Sequence, residues 1–376
     1  MQPNQKVSDE QLIEAIESGD TIKQLAAKFS MSERVISRRK AQLVKRGYSP
    51  AHDMTHTTPE GFKLKGTSTL YRKDGEQVLQ WVKTSADEER QRAIMEEAIR
   101  ALSEDIPRAE IIPAPPISNE KLLTLYPISD LHFGMLADEQ ESGDDWDIKI
   151  AESTVTRWLN CAVQASPDSH TGVLMLLGDQ LHFDGLEAVT PRNRHVLDND
   201  SRFWKVVRAF INVVRNLTKI LLDKHPEVKL IFVPGNHDEA SSVWMREAMA
   251  IFYENEPRIT VDTRPDPYYC IEHGKTSLFF HHGHLARFER LEQAMIAKFR
   301  EVFGRTKYSY IHVGHLHHKK VAESSLAIVE QHQTLAAKDA YASSGAWLSQ
   351  RAATAIVYHA DYGEVSRATI RPEMLK

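Results

Sequence analysis

Hydrophobic residues in the last two thirds of the chain follow two alternating patterns. Short apolar runs, typical of buried strands, occur at residues 122–128, 173–177, 229–233, 276–280 and 309–313. Amphipathic segments with helical spacing lie near residues 148–165, 202–222 and 242–253, and the stretch after residue 324 is rich in strand patterns that end in 353–358 and 364–370. This alternation predicts an α/β domain over residues 121–376, with functional side chains at the carboxyl ends of strands.

The first fifty residues have the pattern of a small helical bundle, which we assign as a domain over residues 1–50. Ser8 and Gln11 have the spacing of a capping box at the start of a first helix. A second helix is predicted at residues 21–29, and Ser32 is a suitable N-cap for a third helix that ends near residue 46. The apolar residues of these segments predict a core of Ile22, Leu25, Ala26, Met31, Val35, Ile36 and Leu43.

Residues 51–120 have the pattern of a connector that contains some regular structure. Two strand-like segments at 68–72 and 77–82 flank Lys73-Asp74-Gly75, which predicts a β-hairpin. A charged helix is predicted at residues 86–103, and the Pro-rich stretch 111–116 predicts an extended linker. No catalytic motif occurs in this part of the sequence.

Composition places the chain among soluble globular proteins. Its 376 residues are 41% hydrophobic and 26% charged, with a formal net charge of −5, which suits two or three folded units. The two cysteines, Cys161 and Cys270, have no metal or redox spacing, which favours a reducing compartment. The N-terminal residues are polar and no apolar run has the length of a membrane span, so we expect a cytoplasmic protein without membrane contact.

Five segments share one design, in which a strand is followed by side chains of the kind that bind metals. The five are Ile128-Ser129-Asp130-Leu131-His132, Leu177-Gly178-Asp179, Pro234-Gly235-Asn236-His237-Asp238, Phe280-His281-His282-Gly283-His284 and Val313-Gly314-His315-Leu316-His317. In the last of them, the spacing of two residues places both histidines on the same side of an extended chain. Imidazole together with carboxylate suits Mn, Fe, Zn or Co better than Ca.

Taken in order, the five segments resemble the motifs of the calcineurin-like metallophosphoesterase family, over the chain from about residue 122 onward. The resemblance implies a sandwich of two β-sheets flanked by helices, with two divalent metal ions between the sheets. We expect Mn first, with Fe, Zn, Co or Ni as alternatives. By the same resemblance, one metal would be held by Asp130, His132 and His317, the other by Asn236, His282 and His315, and Asp179 would bridge both.

The resemblance also implies a mechanism. Two bound metals acidify water near neutral pH, and the resulting hydroxide attacks the phosphorus in line without a covalent enzyme intermediate. His237 would face the substrate, where it would stabilise the phosphoryl oxygens or protonate the leaving oxygen. Asp238 follows His237 in the same loop. We include it among the catalytic residues because it would orient that loop.

The residues after Asp179 distinguish branches of the family. Serine/threonine phosphatases carry Arg-Gly after this region to grip a phosphomonoester, whereas this chain has Gln180-Leu181-His182 followed by Phe-Asp-Gly. A histidine three residues after the bridging aspartate resembles the branch of DNA double-strand-break-repair exonucleases. There His182 would assist His237; the alternative is a residue that only hydrogen-bonds to its surroundings.

Basic residues indicate a nucleic-acid partner. The third predicted helix resembles the recognition helix of a helix-turn-helix unit, although Ser30 stands where that family usually has glycine in the turn. Its cations suit contacts to DNA phosphates, or else a solvated face on a protein-docking bundle: Arg34, Arg38, Arg39, Lys40, Lys45 and Arg46. Arg192 and Arg194 would follow a DNA backbone or would pair with Asp198 and Asp200. Acidic residues at 138–145 would repel DNA if they bordered the site.

These patterns predict a metal-dependent phosphodiesterase, with DNA as substrate and as the partner of the N-terminal domain. The first alternative is an enzyme for nucleotides or other small phosphoesters, or a phosphoprotein phosphatase, with the N-terminal unit used for protein docking. The second is a DNA-binding regulator with an inactive phosphoesterase domain, which the intact ligand set disfavours. The helical N-terminal unit, followed by a hairpin and a linker, resembles the arrangement in phage or prophage proteins. Formation of a homodimer is a further possibility that the sequence leaves open.

Overall fold

The structure, a computed structural model, describes residues 7–18, 20–45, 62–71, 77–86, 108–116, 118–185, 187–190, 196–286, 288–338 and 349–375. Contacts divide the chain into two compact units, Met1–Glu97 and Ala98–Lys376. The boundaries predicted near residues 50 and 120 stay predictions. The charged helix predicted at 86–103 lies outside the described residues, apart from Ala86 at the end of a strand.

The first unit begins with three helices, α1 (Asp9–Glu17), α2 (Ile22–Lys28) and α3 (Glu33–Lys45). The predicted capping box is confirmed, since the Ser8 hydroxyl accepts from the Gln11 backbone N–H while the Gln11 side chain accepts from Ser8. Ser30 lies in the turn between α2 and α3 at φ 53°, the left-handed backbone that glycine adopts most easily. The buried core contains residues of all three helices: Leu12, Ala15, Ile16, Leu25, Ile36 and Leu43. Ile22, predicted in the core, is 38% exposed because the first position of α2 points away from that core.

A β-hairpin follows in the same unit. Strands β1 (Phe62–Tyr71) and β2 (Gln77–Ala86) pair antiparallel, with Leu70 opposite Leu79. This confirms the predicted hairpin and extends both strands beyond their predicted ends.

The second unit contains the remaining helices and strands. In chain order they are β3 (Asn119–Ile128), α4 (Glu139–Ser142), α5 (Ile148–Ala165), β4 (Ser169–Leu177), α6 (Phe203–Lys224), β5 (Glu227–Val233), α7 (Glu239–Phe252), β6 (Ile259–Val261), β7 (Tyr269–His273), β8 (Thr276–Phe280), α8 (Phe288–Lys298), α9 (Arg300–Arg305), β9 (Tyr308–Val313), β10 (Lys320–Glu323), β11 (Ile328–Gln331), β12 (Ala353–His359) and β13 (Gly363–Ile370), followed by a short 3₁₀ helix (Pro372–Leu375).

These strands form two sheets. The first has the order β13-β12-β3-β4-β5-β6, in which β3 to β6 are parallel and β12 and β13 are antiparallel additions at one side. The second has the order β10-β11-β9-β8-β7, with parallel pairing of β8, β9 and β11 at its centre. Parallel central strands in both sheets bring their carboxyl ends, and the loops that follow, to one edge of each sheet.

The two sheets pack face to face around one hydrophobic core. Alternate residues of β4 enter it, namely Val173, Met175 and Leu177, where they meet residues of the second sheet such as Leu278 and Phe280. The intervening residues of β4 face the helices instead, and α6 packs on both β4 and β5. Helix α8 covers the outer face of the second sheet through Leu291 and Met295. The predicted α/β fold, a two-sheet sandwich flanked by helices, is therefore confirmed.

The linker at 111–116, part of the second unit, has no regular secondary structure but is hydrogen-bonded to residues 256–258 of the same unit. Glu256 accepts from the Ile112 backbone N–H at 2.9 Å, and Arg258 donates to the carbonyls of Ile112 and Pro113 at 2.7 and 3.1 Å. Within the described ranges, no helix is both long enough and apolar enough to cross a bilayer.

Candidate metal centre

All seven predicted ligands lie on loops that leave the carboxyl ends of five strands. Asp130 and His132 follow β3, Asp179 follows β4, Asn236 follows β5, and the remaining ligands follow β8 and β9: His282, His315 and His317. The strands belong to both sheets, and the sandwich brings these loops together at one edge.

The ligand loops adopt an uncommon backbone conformation. Positive φ values occur at five ligands: Asp130 (51°), His132 (46°), Asp179 (49°), His315 (73°) and His317 (56°). Among the described residues, Ser30 is the one other non-glycine residue with positive φ. Such conformations cost on the order of 1–3 kcal/mol each and concentrate at functional sites, because the surrounding structure must hold them in place. They turn the ligand side chains back toward a common centre.

One group of ligands contains Asp130, His132 and His317. The Nε2 atoms of the two histidines are 3.3 Å apart, and His317 Nε2 lies 3.2 Å from Asp130 Oδ1. The Asp130 carboxylate is fully buried and accepts from the backbone N–H of His315 and from the Ser129 hydroxyl. Two imidazole nitrogens and one carboxylate oxygen therefore converge on one point.

A second group contains Asp179, His282 and His315, with Asn236 beside it. His282 Nδ1 lies 2.8 Å from the carbonyl oxygen of Leu177, which accepts its proton, so Nε2 is the nitrogen directed at the centre. That Nε2 is 3.0 Å from Asp179 Oδ2 but makes no hydrogen bond to it. The Asn236 Oδ1 and His315 Nδ1 atoms are likewise buried without a hydrogen-bond partner. Unpaired buried donors and acceptors are costly, and a bound cation would satisfy them.

The two groups adjoin at their carboxylates. His282 Nε2 lies 3.8 Å from Asp130 Oδ1 in addition to its contact with Asp179. Burial lowers the pKa of His282, but Asp179 and Asp130 outweigh it and raise the pKa to about 10. The two carboxylates beside Nε2 thus favour positive charge at this point, and a divalent cation could take the place of the His282 proton. The donor set therefore fits divalent metal binding.

Glycines in the motifs leave room for the ligands. A Cβ on Gly235 would lie 2.1 Å from Asp179 Oδ1, and a Cβ on Gly314 would lie 2.1 Å from the Ser129 hydroxyl oxygen. Both positions therefore exclude a side chain because the backbone passes directly beside the Asp179 and Asp130 carboxyl groups.

His237 lies at the edge of the centre with its ring orientation fixed. Its backbone N–H donates to Asp179 Oδ1 at 2.7 Å, and its Nδ1 donates to the carbonyl oxygen of His182 at 2.8 Å. The Nε2 atom therefore carries the lone pair in the neutral ring. The side chain is partly exposed and lines a cavity of about 540 Å³, together with His132, Asp179, Asn236 and His317.

His182 is buried and contacts a ligand. Its Nδ1 lies 3.2 Å from Nδ1 of His132, and its ring stacks on His237 with centroids 5.6 Å apart. Burial, followed by the charge of His237, lowers the pKa of His182 to about 3, so the ring is neutral and can accept a proton donor. If His132 binds a metal through Nε2, its proton is on Nδ1 and is donated to His182.

The Asp238 carboxylate holds two loops together. It accepts backbone N–H donors from Gly235 at 2.8 Å, Asp179 at 3.3 Å, Gln180 at 2.6 Å and Leu181 at 3.3 Å. This geometry positions the loops after β4 and β5 relative to each other, as expected for a residue that orients its loop.

Three residues that the sequence analysis did not single out support the centre. The Thr334 hydroxyl donates to the Asp130 carbonyl at 2.6 Å, and Gln180 Nε2 donates to the carbonyls of Ile128 and Gly178 at 2.9 Å. Asp184 accepts from the backbone N–H groups of Ala240 and Ser241 at 2.7 Å, and thus caps α7 from a different loop. Thr334 is 204 residues from Asp130, and no local sequence signal links the two.

A buried His312–Glu330–His332 cluster lies outside this centre. His312 Nδ1 is 2.9 Å from His332 Nε2, and its Nε2 is 2.9 Å from the Tyr358 hydroxyl. The Glu330 carboxylate receives two hydrogen bonds from Arg367, at 3.0 and 3.1 Å. These groups satisfy one another through hydrogen bonds, which indicates a structural role for His312 and His332.

The predicted DNA-contacting cations have different surroundings. Arg34 and Arg38 are exposed on α3, Lys40 is partly buried, and Lys45 is the last residue of the helix. Arg39 is engaged within its own unit, since it donates to the Val7 carbonyl at 2.9 Å and to Asp9 at 2.5 Å. Arg46, Arg192 and Arg194 lie outside the described residues.

The acidic loop reaches the border of the large cavity at one point. Asp144 Oδ2 lies 3.4 Å from Arg351, whose side chain lines the cavity and donates to the Leu335 carbonyl. Arg351 therefore offsets the charge of Asp144 at the border of the cavity.

No family model and no curated protein matches the sequence. Similar solved structures include a predicted phosphoesterase from Streptococcus pneumoniae TIGR4, with 11% identity, 67% of this chain and 99% of that chain covered, and a TM-score of 0.27. An archaeal phosphodiesterase has 14% identity, 66% and 99% coverage, and a TM-score of 0.33. A putative 5′-nucleotidase from Staphylococcus aureus has 12% identity, 66% and 54% coverage, and a TM-score of 0.33. Likenesses at this level carry no conclusion about the chemistry of this chain.

Proposed function

We propose that this protein is a metal-dependent phosphodiesterase that hydrolyses DNA. One observation carries the proposal: two groups of buried imidazole and carboxylate donors adjoin at Asp130 and Asp179, beneath an open cavity that His237 also lines. Adjacent donor groups of this kind suit a pair of divalent ions, with Mn as the first expectation and Fe, Zn, Co or Ni as alternatives.

The proposed ligands divide as the two groups do. Asp130, His132 and His317 would hold one ion, and the other would be held by Asn236, His282 and His315. Asp179, whose Oδ2 lies 3.0 Å from His282 Nε2, would be shared. When bound, such ions acidify water and neutralise the negative charge that develops on a phosphate ester.

His237 would act on the substrate. Its Nδ1 is committed to the His182 carbonyl, so the ring is held with Nε2 directed elsewhere. A protonated Nε2 beside the leaving oxygen would supply the proton that a poor leaving group such as a deoxyribose hydroxyl requires.

A diester suits the cavity better than a monoester. Phosphomonoesters carry two charges, and enzymes that bind them commonly present a guanidinium fork to the dianion. Among the described residues that line the cavity, the basic side chains of Lys and Arg are Lys338 and Arg351. Arg351 already donates to the Leu335 carbonyl through two nitrogens.

Helix α3 would bind the DNA duplex. Ile36 and Leu43 face the core, whereas Arg34, Ser37 and Arg38 are exposed on the opposite side of the helix. An exposed stripe of arginine and a small polar residue suits phosphate contacts and entry into the major groove.

Hydrolysis assays with Mn test the catalytic part of the proposal. The full chain should cleave linear or nicked duplex DNA and bis(p-nitrophenyl) phosphate, and Asp179→Asn should abolish both activities together with metal content. Asp223→Asn is the matched control, because Asp223 is an exposed carboxylate on α6. Cleavage of mononucleotides or phosphoproteins without cleavage of DNA would instead favour the small-phosphoester or phosphatase alternative.

DNA binding is tested separately. Arg34→Ala with Arg38→Ala should weaken binding of a long duplex and reduce the salt slope by up to about two, since each phosphate contact contributes about 0.9 to that slope. The control pair Lys149→Ala with Lys219→Ala removes two exposed helical cations from the second unit. Equal affinity of the α3 variant and the parent at several salt concentrations would assign the N-terminal unit to protein docking.

A further inference from the structure

A second, smaller cavity of about 250 Å³ lies beside the metal centre. Its apolar lining includes Ala286, Phe288, Leu291 and Val313. It also shares three residues with the large cavity, since His315, Leu316 and His318 line both. The two cavities therefore adjoin along these residues, and we call the smaller one the Phe288 pocket.

Leu316 forms the boundary between the two cavities. It stands between the proposed ligands His315 and His317, yet its side chain is 55% exposed. The left-handed backbone at both neighbours turns their imidazoles inward and leaves Leu316 pointing outward. Its exposed surface thus offers an apolar contact at the point where a substrate would pass from one cavity to the other.

The pocket combines an aromatic ring with polar groups at its rim. The Lys320 ammonium lies 4.1 Å from the centroid of the Phe288 ring and 3.1 Å from Glu289 Oε1. His318 Nδ1 donates to the Leu316 carbonyl at 2.9 Å, which leaves its Nε2 as an acceptor, and Gln331 Nε2 donates to the His318 carbonyl at 2.7 Å. An apolar floor with a few fixed polar groups is typical of sites that bind small molecules.

We propose that the Phe288 pocket holds the heterocyclic base of the nucleotide whose phosphate is hydrolysed. The proposal rests on the proposed phosphodiesterase function and adds a recognition element to it. The volume of about 250 Å³ lies below the roughly 300–1,000 Å³ of pockets that enclose drug-sized ligands, so it suits one ring system and not a whole nucleotide. Stacking on an aromatic side chain tolerates different bases, as an enzyme acting along DNA requires.

Two esters with the same leaving group test the pocket in the full chain with Mn. Thymidine 5′-(p-nitrophenyl phosphate) carries a base, and methyl p-nitrophenyl phosphate does not. Phe288→Ala should lower kcat/KM for the thymidine ester by about 5- to 150-fold, the range expected for loss of one base stack, and should leave the methyl ester within about twofold. Ala286→Phe, which fills the pocket without removing its aromatic ring, should produce the same selective loss.

Phe299→Ala is the matched control, because Phe299 is also a partly buried member of the same hydrophobic cluster but does not line the pocket. Equal losses on both esters, or none on either, in both pocket variants would overturn the proposal. Failure of the parent protein to hydrolyse either ester would instead refute the phosphodiesterase function. 5′-Thymidylate and a short oligonucleotide serve as competitors. The competitor whose inhibition weakens in Phe288→Ala identifies the source of the base, either a free nucleotide or a DNA strand. If inhibition by neither competitor weakens, the result counts against the pocket.

Discussion

Substitution of His182 tests how the His132 imidazole is held for metal binding. Asparagine places an acceptor oxygen near the position of Nδ1, glutamine places its polar end near Nε2, and alanine provides neither. Because Nδ1 of His182 lies 3.2 Å from Nδ1 of His132, we expect His182→Asn to retain the hydrogen bond that fixes the His132 tautomer. His182→Gln and His182→Ala should lose it.

The magnitude follows from the burial of both rings, which are 6% and 1% exposed. Leaving a buried N–H of His132 without an acceptor costs about 1–3 kcal/mol. Loss of such an outer partner of a metal ligand typically costs about 10–100-fold in metal affinity, which corresponds to about 1.4–2.8 kcal/mol. The two ranges agree, so His182→Ala and His182→Gln should bind Mn about 10–100-fold more weakly, and His182→Asn within about threefold of the parent.

Competition with a fluorescent chelator measures Mn affinity, and elemental analysis measures metal content. His170→Ala serves as the control for loss of a histidine, since His170 lies outside the ligand set and is hydrogen-bonded to Ser118. Unchanged Mn affinity in His182→Ala would refute this reasoning. The opposite order would also refute it, with His182→Gln retaining Mn affinity and His182→Asn losing it. That order would show that His182 acts through Nε2 and not through its contact with His132.

Three further predictions follow from other contacts. His237→Ala should keep near-normal metal content but lower turnover of DNA about 10²–10⁴-fold, with a smaller loss on p-nitrophenyl esters; equal losses on both would exclude His237 as the general acid. Burial raises the pKa of Glu330, but the neighbouring His332 and the hydrogen bonds from Arg367 lower it to about 2. A carboxylate with a depressed pKa in the folded state stabilises the fold above about pH 4.5, so Glu330→Gln should lower the free energy of unfolding near neutral pH by up to about 3 kcal/mol. In urea unfolding, the difference from the parent should shrink as the pH falls toward 2. Asp184→Ala should lower unfolding free energy by about 0.5–2 kcal/mol through loss of the α7 cap, and an unchanged urea midpoint would show that the cap contributes nothing.

Much of the fold could be predicted because the central strands are buried on both sides. Continuous apolar runs such as 173–177 are visible in the sequence, and the ligand motifs follow them directly. Short or exposed elements escaped prediction: β10 is exposed at all four positions, and β6 has three residues. Helix α8 was also missed, because it follows the histidine-rich loop without a preceding Ser, Thr, Asp or Asn cap.

The ligand residues were predictable from local motifs, whereas their supports were not. Thr334 and Asp184 act through backbone groups that are distant in sequence, and hydrogen bonds of this kind have no periodicity. The commitment of Arg39 to Asp9 was equally hidden, since the charge pattern of α3 does not reveal which cation faces its own unit.

The Asp238 carboxylate has a consequence for how the substrate range of such a site can change. Its four backbone hydrogen bonds fix the Asp179 and Asn236 loops to each other, so a substitution in either loop disturbs both halves of the centre. Leu316 and Lys338 also line the cavity. Within the described part of the chain, neither side chain is hydrogen-bonded to a proposed metal ligand. Substitutions at these two positions can therefore change the shape of the cavity while the proposed metal ligands keep their positions. Leu316 and Lys338 are thus the first positions to change if the specificity of the proposed site is to be altered.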